Sequence, residues 1–184
     1  MKIVKITGIV IIALLLASCN PSKEKMAKDI ATKEKGLFVD GSPVPDKTKI
    51  KEVIDLYKKY VQTFPKDSMS PKYLYKASDL SMNTGQSTEA IIFLDQIISD
   101  YPDFKKLPEA YFLKAFIYDD KIKNLPKARA AYMEFIQKFP KHDLVNDAKI
   151  SMDNLGKTPE QIVKEFEIKV KQKSDSAEAA AKKK

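Results

Sequence analysis

One cysteine, one histidine, five glycines and no tryptophan leave this 184-residue chain little with which to do chemistry. With Cys19 alone, no disulfide can form within the chain, so the fold must be held by packing. A lone histidine and no second thiol exclude a metal cluster built from those ligands. The scattered glycines form neither a phosphate-cradling loop nor a Gly-x-Ser-x-Gly elbow. His142 stands in Pro140-Lys-His-Asp143, an inter-helix turn. Asp119 and Asp120 are adjacent, and neighbouring helical positions diverge, so the pair reads as a solvated helix end. These absences argue against an enzyme, a metal, a cofactor and a small-molecule substrate.

The front of the chain reads as a sorting signal. Lys2 and Lys5 supply a positive end, and Gly8 to Leu16 an apolar run too short to span a bilayer comfortably. Leu16-Ala17-Ser18-Cys19 resembles the lipobox of bacterial lipoprotein signal peptides. The resemblance implies removal of residues 1–18 and attachment of a diacylglycerol and an N-acyl chain to Cys19. It also implies a location on the membrane. Asn20 in place of Asp, with no acidic cluster behind it, favours the periplasmic face of the outer membrane by analogy. The formal charge of +8 falls to about +6 without the two signal lysines. That surplus is diffuse lysine interleaved with acid, a solvated surface with at most a weak pull toward anionic headgroups. Nucleic acid is an improbable partner for an exported, lipid-held chain.

What the chain does have is repetition. Lys51 to Pro65 aligns with Thr88 to Pro102 and with Pro126 to Pro140. Each copy closes on an aromatic-Pro pair, at Phe64, Tyr101 and Phe139, so the period is 37 and then 38 residues. Such a period marks stacked helix pairs that bury their apolar faces only against neighbours. The chain length beyond the signal suits one domain.

Apolar spacing and capping signals give a coarse map. Residues 19–47 read as a lipidated tether, with Gly41-Ser42-Pro43-Val44-Pro45 opposing helix and Leu37, Phe38 and Val39 available to dock on the first helix. Helices are predicted over 48–63, 70–83, 87–100, 107–120, 125–138 and 143–154, with a seventh opening at Thr158-Pro159-Glu160-Gln161, a reciprocal cap. The repeat domain spans 48–173, and residues 174–184 read as a frayed Lys/Ala-rich tail or a helical extension. Whether the first half-unit recruits residues 23–38 as its missing helix stays open.

The two full units resemble tetratricopeptide repeats. Ala77, Ala90 and Pro102 in one, and Ala115, Ala128 and Pro140 in the other, stand at the small and terminating positions. Tyr73 and Tyr111 match the early bulky residue, and Leu94 and Tyr132 the large residue of the second helix. Gly85 matches the turn glycine, with Lys123 near that place in the other unit. Long units of this kind, with the ending Asn154 to Phe166, resemble repeat lipoproteins of the Bacteroidota outer membrane, above all that of the β-barrel assembly machinery. They also resemble the repeat domain that coordinates wall synthesis with the Tol–Pal system. The resemblance implies an all-α, right-handed superhelix of antiparallel hairpins with six or seven helices. It implies a protein-interaction scaffold in envelope or outer-membrane protein assembly. The alternative is a wall- or Tol–Pal-associated integrity factor.

In such arrays the first helix of each unit lines the concave face. Ala110 to Tyr118 is interrupted only by Lys114, so this helix is either sandwiched on all sides or offers apolar surface to a partner. In the second case Leu113 and Phe116 form an apolar seat flanked by Asp119 and Asp120. Tyr75, Ser78, Ser81 and Met82 are the equivalent positions on the preceding unit. The occupant would be an envelope protein, held as a helix or extended peptide.

Overall fold

The computed structural model describes residues 21–37 and 46–181. The signal, Cys19, Phe38, Val39 and the Gly41–Pro45 stretch fall outside them. Among the described residues there is no strand, and eight α-helices follow one another: α1 Lys23–Gly36, α2 Lys47–Thr63, α3 Ser70–Asn83, α4 Ser87–Asp100, α5 Leu107–Phe116, α6 Leu125–Lys138, α7 Val145–Asp153 and α8 Pro159–Ala181. A π-turn, Ile117–Lys121, prolongs α5. Sequential helices pack on one another from α1 to α7, as expected of a stack of hairpins.

The aromatic-Pro pairs set the joints. Phe64, Tyr101 and Phe139 end their helices at φ/ψ of −128/57°, −131/62° and −128/56°. A proline next in sequence pushes the residue before it out of the helical region, so the same pair gives the same stop three times. Two short backbone turns then follow in each copy, Asp67 N to Phe64 O and Ser70 N to Asp67 O in the first, with counterparts after Tyr101 and Phe139. The prolines expose their rings while the aromatics pack inward: Tyr60 against Phe64 at 5.1 Å, Tyr111 against Phe139 at 5.3 Å.

The 38-residue spacing has a local cause. The joints after Phe64 and Tyr101 differ by 37 residues, whereas the left-handed turn residues Gly85 (φ 81°) and Lys123 (φ 57°) differ by 38. The extra residue therefore lies within the first helix of the third hairpin. The π-turn absorbs it, with Ile122 N donating to Ile117 O at 2.9 Å, five residues back. Sequence reading placed one continuous helix over 107–120.

Residues 19–47 do not form the expected tether throughout. Ser22 accepts from Lys25 N at 3.2 Å to cap α1, and Met26 and Ile30, one turn apart, are buried against α2. Burial of a side chain of that size contributes roughly 1.5–3 kcal/mol, enough to recruit a helix that is polar elsewhere. Tyr57 Oη donates to Glu34 Oε1 at 2.6 Å, and Lys76 Nζ reaches the same oxygen at 2.8 Å, joining α1 to α2 and α3. The first unit is thus complete, with α1 as its first helix. At the far end, of the two readings of residues 174–184, α8 takes the helical extension, running up to Ala181. Its start keeps the reciprocal cap, Thr158 N to Gln161 Oε1 at 2.8 Å and Gln161 N to Thr158 Oγ1 at 3.3 Å.

Two apolar clusters fill the stack. One joins α1 to α4 with Ala110 and Ile117, centred on Tyr57, Tyr60 and Tyr73; the other joins α5 to α7 around Tyr132 and Phe135. Ala77, Ala90, Ala115 and Ala128 are fully buried where helices cross. A larger side chain at such crossings would hold the helices apart.

Candidate functional site

A cleft of about 500 Å³ opens where the π-turn, the start of α6, α7 and the first turn of α8 converge. Each element brings its side chains there for a local reason. The π-turn rotates Phe116, Asp119 and Asp120 toward the opening. Asn124 Oδ1 accepts from Lys127 N at 3.1 Å, starting α6 so that Leu125 forms the cleft's edge. Ile150, Ser151 and Asn154 line it from α7, and Ile162 closes it from α8. Gly156, at φ 78°, makes the corner between those helices, and a Cβ there would stand 2.9 Å from Leu125 Cδ1. The left-handed conformation favours glycine there, and any larger residue would push the end of the Leu125 side chain aside. A shallower extension continues along Ile150, Ile162 and Phe166.

The walls are apolar on one side and charged on the other. Burial raises the Asp119 carboxyl above its ordinary range, with Lys123 pulling it back. Asp120 moves the other way, held down first by Lys121 at 2.8 Å. Beneath them the Tyr132 hydroxyl is buried without a well-formed hydrogen bond. Burial pushes it up to about 12; the nearby Ser151 lowers it and the Asp119 charge raises it. Lys157 is tied to Glu165 at 2.7 Å across the turn into α8. The arrangement offers apolar contact and charge. Among the described residues no group of three or more His, Cys, Asp or Glu could hold a metal ion.

The sequence-derived candidates divide cleanly. Phe116, Asp119 and Asp120 are in the cleft. Leu113 is half-buried against the first cluster, as are Tyr75 and Met82. Tyr75 is covered by Phe104 at 6.3 Å and by the Lys106 ammonium at 5.1 Å. Ser78 and Ser81 are fully buried and cannot meet a partner. The cause is that α3 lies between α2 and α4, which cover it from both sides; Ser78 Oγ turns back to Tyr75 O at 2.7 Å. Lys114 leaves the apolar helix by pairing with Asp95 at 2.6 Å. His142 serves its turn, its Nδ1 accepting from Leu144 N at 3.3 Å. Leu125, Ile150, Ser151, Asn154, Gly156, Lys157 and Ile162 escaped the sequence reading. Their signal was the apolar spacing Ile162, Phe166, Val170 beyond the last aromatic-Pro joint.

Hairpins of this length, closed by matching joints and packed through small residues, have the build of tetratricopeptide-like repeats. The tetratricopeptide repeat family matches at residues 72–103 and 109–142, so the chain carries these repeats. It is also similar to the outer membrane protein assembly factor BamD of Rickettsia prowazekii (strain Madrid E), 26% identical over 162 residues. The match covers 83% of this chain and 63% of that protein, so the chain spans less than two thirds of its relative. No described helix is long and apolar enough to cross a membrane.

Proposed function

We propose that this protein is a non-enzymatic scaffold of outer-membrane protein assembly, held to the membrane through lipid on Cys19, that docks an envelope protein in the cleft of its third and fourth hairpins. The cleft carries the reading. Its floor pairs exposed apolar groups (Leu125, Ile150, Ile162) with a rim of mixed charge, Asp119 and Asp120 beside Lys123 and Lys157. Such a surface suits a segment with an apolar anchor and charged neighbours. The repeats and the relative named as an assembly factor support the setting, and Leu16-Ala17-Ser18-Cys19 supports the anchor. The periplasmic face of the outer membrane is the location this reading implies.

In-cell photo-crosslinking from position 150 tests it. The expected product joins the chain to a membrane-embedded or membrane-bound assembly protein, and Phe116→Glu removes the product while helicity is unchanged. Persistence of the product in that variant rules out the cleft. Crosslinks to wall-synthesis or Tol–Pal components, with purified protein binding murein sacculi unaided, support the integrity-factor reading instead.

A further inference from the structure

Half of the large apolar side chains left exposed among the described residues belong to α8: Ile162, Val163, Phe166, Ile168 and Val170. Phe166 is the most exposed at 67%. At 23 residues α8 is about 35 Å long. No other helix packs along it beyond the first turns, where Lys157 grips Glu165 and Ile162 edges the cleft. Ile162, Val163, Phe166 and Val170 fall within one face at helical spacing, so this is an amphipathic helix whose apolar face is left largely uncovered by the described residues. Across the slot stands Ile150 of α7, itself 51% exposed.

Charge along α8 is segregated. Residues 160–167 hold Glu160, Glu165 and Glu167 against Lys164 alone, and residues 169–173 hold Lys169, Lys171 and Lys173 before Asp175 and Glu178 follow. A helix with an acidic stretch directly followed by a basic one is complementary to itself when reversed about the boundary between them.

We propose that α8 is a self-association element, in which two copies of this chain pair their α8 helices antiparallel about a centre near Ile168. Phe166 of one helix then meets Val170 of the other, and the acidic stretch 160–167 of each lies along the basic stretch 169–173 of its partner. Isologous contact of this kind closes on itself, so it yields a dimer without open polymer growth. The exposed apolar face of α8 is covered by the second copy. The wall of the cleft around Asp119 and Asp120 stays outside the pairing.

Two full-length copies carrying different tags after Lys184, produced in the same cells and extracted in mild detergent, test this. The two tags are expected to co-purify, and Phe166→Glu to reduce that by about tenfold or more. Ile92→Glu, at an equally exposed site on α4, is expected to leave it intact. A copy with E160K and E167K, and a copy with K169E, K171E and K173E, should each lose self-pairing yet pair with one another. The idea fails if the wild-type tags never co-purify, if Phe166→Glu changes nothing, or if the two charge variants do not recover pairing. It fails also if a photo-crosslinker at position 166 reaches only lipid or a different protein. Circular dichroism of each variant separates lost pairing from lost folding.

Discussion

Lys123 holds a left-handed conformation, φ 57°, in the place where the previous hairpin has Gly85. A side chain there costs about 1–2 kcal/mol, partly offset by the lower freedom of lysine in the unfolded chain. Its ion pair with Asp120, 3.6 Å long and largely solvated, returns little. Lys123→Gly is therefore expected to stabilise the protein by about 0.5–1 kcal/mol in urea unfolding. Gly156→Ala goes the other way, losing about 1–2 kcal/mol to backbone strain before its contact with Leu125 is counted. Asp67 gives the pH dependence. Its carboxylate is held below the ordinary range first by Met69 N, at 2.8 Å, then by Lys23, with Tyr60 Oη also donating at 3.1 Å. A depressed folded-state value means its contribution is whole above the unfolded value near 3.9 and is lost as pH falls through the lower one. Asp67→Ala is expected to cost about 1–3 kcal/mol at pH 7, mainly through the orphaned donors, and the gap from wild type should narrow toward pH 2.

Among the elements, what could be read in advance followed from how much signal each carried. The second helices, α2, α4 and α6, were legible because apolar stripes and aromatic-Pro stops agree, joined in α4 and α6 by buried alanines. The π-turn was not, since one inserted residue leaves composition unchanged and shifts only the hydrogen-bond partner. α1 stayed open because Met26, Ala27, Ile30 and Ala31 are its few apolar residues amid lysine and glutamate, too few for a stripe. Its helicity rests on tertiary contact, which no local pattern carries. Ile30→Ala should then cost about 2–4 kcal/mol in denaturant unfolding, where a tether residue would cost nothing. The cleft was half legible for the same reason: Phe116, Asp119 and Asp120 share one element, but Ile150, Gly156 and Ile162 join them only through the third dimension.

At the scale of the molecule, stability runs unevenly along the stack. α2 to α4 are packed on both sides and share the tyrosine-centred cluster, whereas α7 contributes one fully buried residue, Ala148, and α8 none among its described side chains. Native-state hydrogen exchange should open α7 and α8 at much lower free energy than α3 and α4. If α8 pairs as inferred, its amides should gain protection with rising protein concentration while those of α3 do not.

The three proline joints carry a last implication. Their backbone angles agree within a few degrees, so Phe64 could be spliced directly to Pro102 and the chain would leave the shortened array in the direction it leaves the full one. Length, then, is adjustable in whole-hairpin steps at a fixed seam. A gene can lose or duplicate one such block and still deliver its terminal cleft at the end of an intact rod, only nearer to or farther from where the chain begins.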